Sequence, residues 1–197
     1  FLSGGIGDDF LDGGTGDNYL VGGSGNDTLT GGNDGAGFNT AGYRDVAGPI
    51  VVNLSTQSSV TGDDIGTDTL LQIDAVVGTD YADTFTIAGD WESGQYEGYF
   101  RDTPGKLSFN MISPGGGNDV INGNGYTALN YRDANGVTVQ FDSAGSGTVT
   151  GGVTGTDTFS GVNMVVGSHG DDVILGSDAP EQLRPNGGND TIDGGPG

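Results

Sequence analysis

One large apolar residue recurs every nine positions near the start of the chain, at Leu11, Leu20 and Leu29. Glycine-rich segments of equal length separate these leucines. Because successive side chains of a strand point to opposite faces, one central leucine suits a short strand that turns a single side chain into a core. The pattern predicts short strands joined by tight glycine-rich turns, with the leucines stacked in a narrow core.

Two later segments alternate apolar and polar residues over a longer run, which predicts half-buried strands. The residues expected to face the core are Ile50, Val52 and Leu54 in one segment and Val137, Val139 and Phe141 in the other. A third alternation, Leu107, Phe109 and Met111, predicts another strand packed on the same core. Glycine and threonine are too dense for an amphipathic helix, so we expect an all-β chain.

The nine-residue unit has a fixed internal order, Gly-Gly-x-Gly-x-Asp-x-apolar-x, over Gly4–Asp12, Gly13–Val21 and Gly22–Thr30. Glycines at positions one, two and four permit left-handed backbone and let carbonyl groups point inward. Position six holds Asp or Asn, which adds a side-chain oxygen. Calcium takes six to eight such oxygens from carboxylates and backbone carbonyls, so the unit predicts a calcium-binding turn.

Further copies of the unit follow along the chain. They are Gly78–Thr86, Pro114–Asn122, Gly167–Leu175, Gly176–Arg184 and Pro185–Asp193, with Asp83, Asp119, Asp172, Glu181 and Asp190 at position six. A copy beginning at Gly31 departs from the order, because Asp34 comes early and Ala36 takes position six. We therefore expect no complete site in that copy.

These tandem units resemble the RTX (hemolysin-type calcium-binding) nonapeptide repeats. The resemblance implies a parallel β-roll whose turns stack on alternate sides, with each calcium ion between turns two repeats apart. Asp9 and Asp27 would then share an ion, whereas Asn18 weakens the opposite side because an amide oxygen ligates without charge. The ligand set that we carry over comprises Gly4, Ile6, Asp9, Gly13, Asn18, Gly22, Ser24, Asp27, Asp83, Asp119, Asp172 and Asp190.

A second period of 89 residues lies over the nine-residue one. The segments Val60-Thr61-Gly62 and Gly66-Thr67-Asp68-Thr69 recur as Val149-Thr150-Gly151 and Gly155-Thr156-Asp157-Thr158, the latter interpreted as a turn. Tyr43-Arg44-Asp45 recurs as Tyr131-Arg132-Asp133, interpreted as a strand with an Arg–Asp pair or, alternatively, a sugar or carboxylate contact. The predicted fold is an elongated parallel β-roll or β-helix solenoid with wider inserted strand segments.

The predicted organisation has six segments. They are nonapeptide repeats at 1–37, a wider solenoid segment at 38–87, an aromatic insertion at 88–113, one repeat at 114–126, the second wider segment at 127–166 and a truncated repeat array at 167–197. The insertion holds Trp91, Tyr96, Tyr99 and Phe100, which suit either a cover over the core or a binding platform. The chain starts and ends within a unit, which indicates a piece of a larger array.

The formal charge is −22, from 27 acidic and 5 basic residues. Phosphate binding needs clustered Lys and Arg, so nucleic acid is excluded as a partner. An acidic, glycine-rich chain repels itself and loses much entropy on ordering, which predicts that calcium binding and folding are one event. Calcium is therefore the expected cofactor and partner, with copies of the chain and surface polysaccharide as further candidate partners.

No catalytic constellation stands out from the repeats. The chain has no cysteine, its one histidine, His169, lies in a predicted turn, and no phosphate-binding or nucleophile-elbow motif occurs. Adjacent carboxylates such as Asp8-Asp9, Asp63-Asp64 and Asp171-Asp172 could form an acid–base pair, but adjacent acids also follow from positions five and six of the repeat. No run of about 20 apolar residues exists to span a membrane. We expect a non-enzymatic segment.

Two functions remain open at this point. The first is a calcium-rigidified rod of the surface-layer, adhesin or fibre type, which the 89-residue period favours. The second is a non-catalytic accessory module beside a secreted enzyme such as an alginate epimerase, protease or lipase. In both, the family resemblance implies type I secretion and an extracellular or bacterial cell-surface location.

Overall fold

A computed structural model describes residues 1–32, 37–55, 57–88 and 110–197 of the chain. The described residues form strands and turns and contain no helix, so none of them makes a helix that could cross a membrane. The strands are β1 (Leu2–Ile6), β2 (Phe10–Asp12), β3 (Asn18–Ser24), β4 (Thr28–Thr30), β5 (Asn39–Gly42), β6 (Ile50–Leu54), β7 (Ser58–Gly62), β8 (Gly66–Leu71), β9 (Ala75–Val77), β10 (Thr84–Ile87), β11 (Asn110–Ser113), β12 (Val120–Asn130), β13 (Val137–Ser143), β14 (Ser146–Gly151), β15 (Gly155–Val166), β16 (Val173–Leu175), β17 (Gln182–Arg184) and β18 (Thr191–Asp193).

The nonapeptide repeats coil with two repeats per turn of the roll. Leu2 pairs with Leu20 in β1 and β3, and Leu11 pairs with Leu29 in β2 and β4, both in parallel. Near the other end, Ile174 of β16 pairs with Ile192 of β18 in the same way. Each pair is two nine-residue units apart, so successive units alternate between two faces. This arrangement confirms the all-β parallel roll that the sequence predicted.

The two faces enclose one core between them. Face A stacks, in spatial order, β2, β4, β8, β7, β6, β10, the start of β12, the start of β15, β14, β13, β16 and β18. Face B stacks β1, β3, β5, β9, β11, the end of β12, the end of β15 and β17. Along the chain the described strands alternate between face A and face B, except at two places where three consecutive strands lie in face A.

The wider segments are two antiparallel meanders inserted into face A. Strands β6, β7 and β8 form the first, and β13, β14 and the start of β15 form the second. Each meander places two extra strands in face A for a single strand in face B. Gly66 and Gly155 begin β8 and β15, so the Gly-Thr-Asp-Thr segments lie in strands, and the tight turns come just before them at 63–65 and 152–154.

The core consists of the residues that the two periodicities indicated. Leu20 and Leu29 are fully buried, and so are the inward residues of β6 and β13, such as Val52 and Val139. Burying one such side chain contributes roughly 1.5–3 kcal/mol, so a stack of them supports the narrow roll. Phe141 and Phe159 meet edge to face with ring centroids 4.9 Å apart, which fills the core beneath the second meander.

Two predicted features of the wider segments differ in the structure. The predicted strand at Met111 is present as β11, but Ile112 is the buried apolar residue and Met111 is half-buried. Leu107, Phe109 and the aromatic cluster of the insertion lie outside the described residues. Tyr43 and Tyr131 follow strands β5 and β12 and lead into turns, so the Tyr-Arg-Asp motifs are not strands.

Candidate metal-binding turns

The turns that lead into face A carry a ladder of aspartates along the roll. The backbone N–H of Asp9 donates to Asp27 Oδ1 at 2.9 Å, and the N–H of Asp27 donates to Asp68 Oδ1 at 2.9 Å. The parallel register creates this ladder, because Asp9, Asp27 and Asp68 directly precede Phe10, Thr28 and Thr69, which pair across neighbouring strands. Each carboxylate therefore holds the coil before it.

The same ladder recurs in the rest of face A. The N–H groups of Asp83, Asp119 and Asp172 donate to Oδ1 of Asp119, Asp157 and Asp190 at 2.7, 2.9 and 3.0 Å. At the inner edge of each meander an apolar residue supplies the donor instead. Ile50 N–H donates to Asp83 Oδ1 and Val137 N–H donates to Asp172 Oδ1, both at 2.8 Å.

Sequence reasoning missed two members of the ladder, Asp68 and Asp157. Both are fully buried at the start of a strand rather than at position six of a nonapeptide. The signal was present in the repeated Gly-Thr-Asp-Thr segment, whose aspartate has the same place in each 89-residue unit. A third missed carboxylate is Asp74, which is buried on the face B side and accepts the N–H of Asn39 at 2.8 Å.

Several ladder carboxylates keep one buried oxygen without a hydrogen-bond partner among the described residues. These atoms are Oδ2 of Asp9, Asp27, Asp68 and Asp119, together with Oδ1 of Asp74. An unpaired buried carboxylate oxygen is costly, because burial removes its water without replacing it. Three of these atoms, in Asp9, Asp27 and Asp119, lie in nonapeptide turns, which makes these carboxylates candidate cation ligands.

Position-one glycines leave room for these oxygens. A Cβ on Gly4 would lie 2.6 Å from both Asp9 Oδ2 and the Gly22 carbonyl oxygen, and a Cβ on Gly22 would collide with Asp27 Oδ2. Real Cβ atoms essentially never approach so closely. In these two turns the carboxylate itself therefore requires glycine at position one, and at Gly4 a carbonyl from the neighbouring coil reaches the same place.

Five turns share a left-handed backbone at positions two and four, and we term them open turns. The φ angles at these two positions are 108° and 113° for Gly5 and Gly7, 74° and 79° for Gly14 and Gly16, 109° and 132° for Gly23 and Gly25, 98° and 109° for Gly115 and Gly117, and 74° and 115° for Asn186 and Gly188. The open turns therefore span 4–9, 13–18, 22–27, 114–119 and 185–190. This backbone needs glycine or asparagine, since other residues rarely adopt positive φ.

Three turns have neither left-handed residue, and we term them closed turns. They span 78–83, 167–172 and 176–181, with Thr79, Ser168 and Ser177 at position two. Ser168 N–H donates to Asp172 Oδ2 and Ser168 Oγ donates to Asp172 Oδ1, both at 2.7 Å. Thr79 does the same for Asp83, at 2.7 Å from its N–H and 2.9 Å from its hydroxyl. In the third turn Ser177 contacts Glu181 through both groups.

Asn18 points its amide nitrogen, rather than its oxygen, into its turn. Nδ2 donates to the Gly16 and Gly31 carbonyls at 2.8 and 3.3 Å and to Asn39 Oδ1 at 2.9 Å. A donor among three oxygen acceptors takes the place that a cation would take in this turn. The proposed role of Asn18 as an oxygen ligand requires the amide to turn over.

A second ladder at position five explains the adjacent acidic residues. Asp8 Oδ1 accepts the N–H of Asn26 at 2.8 Å, and Asp171 Oδ1 accepts the N–H of Asn189 at 2.7 Å. Asn26 continues this ladder by accepting the N–H of Thr67 at 2.9 Å. The pairs Asp8-Asp9 and Asp171-Asp172 are therefore two parallel rows of turn-holding side chains. His169 lies exposed in its turn, as expected.

Burial changes the acidity of the ladder carboxyl groups when no cation is bound. Loss of solvent raises the pKa of Asp68 and that of Asp74 to about 6, although each accepts a backbone N–H that opposes the change. Burial also raises the pKa of Asp119, and the neighbouring Asp157 carboxylate raises it further. The anionic forms of Asp68, Asp74 and Asp119 are thus destabilised inside the roll, and a cation beside them would favour the charged form.

The tyrosines of the two Tyr-Arg-Asp motifs lie beside Asp157 and Asp68, the ladder aspartates of the meanders. Tyr131 is buried, and its hydroxyl donates to Asp157 Oδ2 at 2.8 Å. The corresponding atom of Asp119, its own Oδ2, has no partner among the described residues. In the first copy Tyr43 is equally buried beside Asp68, but the two atoms do not complete a hydrogen bond of normal geometry. Burial first, and the aspartate next, raise the pKa of both tyrosines well above the ordinary value.

The arginine of one motif pairs with the aspartate of the other. Arg44 Nη2 lies 2.5 Å from Asp133 Oδ2, and both side chains are largely exposed. The hydrogen bond to Asp133 raises the pKa of Arg44. The two copies of the 89-residue unit therefore meet at this surface pair.

The donor set fits calcium. Within the described residues, no three His, Cys, Asp or Glu side chains come together to hold a metal on their own, so backbone carbonyls have to supply most ligands. Calcium accepts many carbonyl oxygens at flexible geometry, whereas magnesium sheds its waters reluctantly and zinc prefers His and Cys. Of the predicted ligand set, Gly4, Gly13 and Gly22 lie against the position-six side chains. Ile6 and Ser24 pair across β1 and β3, where the Ser24 carbonyl accepts the Gly7 N–H at 2.8 Å.

A β-roll with stacked turn carboxylates and unpaired buried oxygens defines a metal-binding repeat module. Residues 3–36 and 186–197 match the RTX calcium-binding nonapeptide repeat, in four copies. The chain therefore carries RTX calcium-binding nonapeptide repeats at these two stretches, as the sequence predicted. No curated protein matches the chain.

Proposed function

We propose that this chain is a calcium-dependent folding segment of a secreted or cell-surface bacterial protein, where it acts as a structural rod. The observation that carries the proposal is the row of buried aspartates whose second oxygen has no partner in the described turns. With a net charge of −22, each bound divalent cation relieves both local and overall repulsion.

Calcium in excess stabilises only the folded form, by RT ln(1 + [L]/Kd) for each site. A thousandfold excess over Kd contributes about 4 kcal/mol per site, so a few sites decide whether a domain of ordinary stability folds. Such a chain would stay unfolded in the cytoplasm, where calcium is low, and would fold after export, where calcium is high. This behaviour supports an extracellular location and export by a type I system.

The rod role draws support from the uninterrupted stacking of the described coils. Both wider segments continue the core of the nonapeptide repeats rather than ending it, since β8 stacks on β4 and β13 stacks on β16. We also propose that the segment is not catalytic. Of the adjacent carboxylates that suggested an acid–base pair, Asp8, Asp171 and Asp172 accept backbone N–H groups from neighbouring coils.

Circular dichroism of the whole chain tests the proposal. We expect a disordered spectrum in a calcium chelator, a β-spectrum in millimolar calcium, and no recovery in millimolar magnesium with calcium held below micromolar. A β-spectrum of equal size in chelator would refute calcium-dependent folding, and full recovery in magnesium would refute the choice of ion.

A further inference from the structure

The closed turns satisfy their carboxylates without any ion. Asp172 receives three donors, the Ser168 N–H, the Ser168 hydroxyl and the Val137 N–H from the adjoining coil. Asp83 receives three matching donors, two from Thr79 and one from Ile50. Two independent turns thus repeat one arrangement, in which both carboxylate oxygens are occupied by protein donors.

The hydroxyl at position two lies at the centre of this arrangement. Ser168 Oγ accepts the N–H of Gly170 at 2.9 Å while it donates to Asp172. Thr79 Oγ1 accepts the N–H of Tyr81 at 2.9 Å, and Ser177 Oγ accepts the N–H of Ala179 at 3.1 Å. In each closed turn the hydroxyl therefore bridges position four and position six.

Position two selects between the two backbones. In the open turns this residue is Gly or Asn with φ between 74° and 109°, and the position-six residues Asp9, Asp27 and Asp119 keep an unpaired Oδ2. Ser and Thr rarely adopt positive φ. In the backbone of the closed turns their hydroxyl makes two hydrogen bonds, which stabilises that backbone. The backbone at position four changes together with that at position two. Gly170 is a glycine at position four, yet its φ is not positive in the closed turn.

We propose that the position-two hydroxyls of Thr79, Ser168 and Ser177 take the place of calcium, so that the closed turns fold without an ion. This inference rests on calcium binding at the open turns that carry an aspartate at position six. It reassigns Asp83 and Asp172, which the nine-residue pattern predicts as ligands, to metal-free turns. The stretches that match the calcium-binding repeat, 3–36 and 186–197, contain open turns and none of the three closed turns.

Calcium stoichiometry of the full-length chain, measured by equilibrium dialysis, tests the proposal with two matched substitutions. Asp27→Asn, in an open turn, should lower the number of bound ions, whereas Asp172→Asn should leave it unchanged. A drop for Asp172→Asn equal to that for Asp27→Asn would overturn the proposal. If Asp172→Asn does not fold, Asp83→Asn tests the equivalent turn.

A gain of binding provides the sharper test. Ser168→Gly turns residues 167–172 into Gly-Gly-His-Gly-Asp-Asp, the full order of an open turn, and should add one bound ion. Thr79→Gly is the matched control, because Tyr81 at position four still opposes the left-handed backbone, and it should add none. An unchanged count for Ser168→Gly would overturn the proposal. An unmodified chain that binds no calcium would instead refute the proposed function.

Discussion

The open turns at 4–9 and 22–27 and the closed turn at 167–172 have the same length, the same strand register and the same aspartate at position six. They differ at position two, where Gly5 and Gly23 are left-handed and Ser168 is not. Among the described residues Asp27 Oδ2 has no hydrogen-bond partner, whereas Asp172 has two donors from Ser168 in addition to the Val137 N–H of the adjoining coil. A repeat that looks uniform in sequence therefore contains two solutions to the burial of a negative charge.

The largest effect should come from adding a side chain to an open turn. Gly23→Ala would place a Cβ against the Gly5 carbonyl at a φ of 109°, so we expect loss of the calcium-folded state. Gly5→Ala is the control, because its φ is 108° but nothing lies within 4 Å of the added Cβ. It should cost about 1–2 kcal/mol, the price of left-handed backbone alone. Urea unfolding in millimolar calcium compares the two; equal losses would contradict the close stacking of the open coils.

Acid should partly replace calcium in the ladder. Asp68 and Asp74 have folded pKa values of about 6 against an ordinary value of 3.8, so the folded chain binds more protons than the unfolded one. Stability of the metal-free chain should be greatest below about pH 4 and should be lost as pH rises through about 6. Each group contributes at most about 3 kcal/mol, less where water screens it.

The measurement is the β-signal of calcium-free protein between pH 7 and pH 4. Asp68→Asn/Asp74→Asn is the control, since an amide does not titrate in this range, and its β-signal should vary less with pH. A metal-free chain that loses structure on acidification would show that the ladder carboxylates are not destabilised by burial.

Removing a closing hydroxyl should cost less than adding a clash. Ser168→Ala leaves one oxygen of Asp172 with fewer donors and should reduce the free energy of unfolding by about 1–3 kcal/mol. Because no ion is involved, the loss should be the same at low and at high millimolar calcium. A loss that shrinks as calcium increases would mean that an ion occupies this turn when the hydroxyl is absent.

The smallest expected effect concerns the tyrosines of the two meanders. Tyr131→Phe removes the donor to Asp157 Oδ2 and should cost roughly 1–2 kcal/mol. Tyr43→Phe should cost less, because the Tyr43 hydroxyl, unlike that of Tyr131, has no hydrogen-bond partner of normal geometry among the described residues. Thermal unfolding of both variants in calcium tests this order, and a greater loss for Tyr43→Phe would reverse it.

Sequence periodicity was sufficient for the roll and for most of the core. The nine-residue spacing of Leu11, Leu20 and Leu29 reports strand and turn directly, since every coil repeats the same contacts. The ladder at the meanders was harder to predict, because the place of Asp68 and Asp157 follows from the parallel register of β8 on β4 and of β15 on β12, strands that are far apart in the chain. Their place could have been inferred from the buried alternation around them, but not from the nonapeptide pattern.

The open and closed turns were also beyond the pattern. Position eight is apolar in both, and the distinction depends on whether a hydroxyl at position two contacts a backbone N–H and a carboxylate together. The nonapeptide pattern shows that Ser168 replaces glycine at position two. It does not show that the Ser168 hydroxyl bonds to Asp172 and to the Gly170 N–H. The orientation of the Asn18 amide was also beyond the sequence pattern. It depends on the carbonyls of Gly16 and Gly31, which accept from Nδ2, rather than on residue type.

The aspartate ladder gives the roll a chemical direction. Every bond of the ladder that begins with Asp9 runs from the N–H of an earlier coil to the carboxylate of a later one, as from Asp9 to Asp27 and from Asp172 to Asp190, whereas the position-five ladder runs the other way. A coil laid down after its predecessor buries its carboxylate against a donor that is already in place. A coil laid down before its predecessor has to hold a buried anion until the donor arrives. Assembly in the two directions therefore follows different energy profiles, although both end in the same structure.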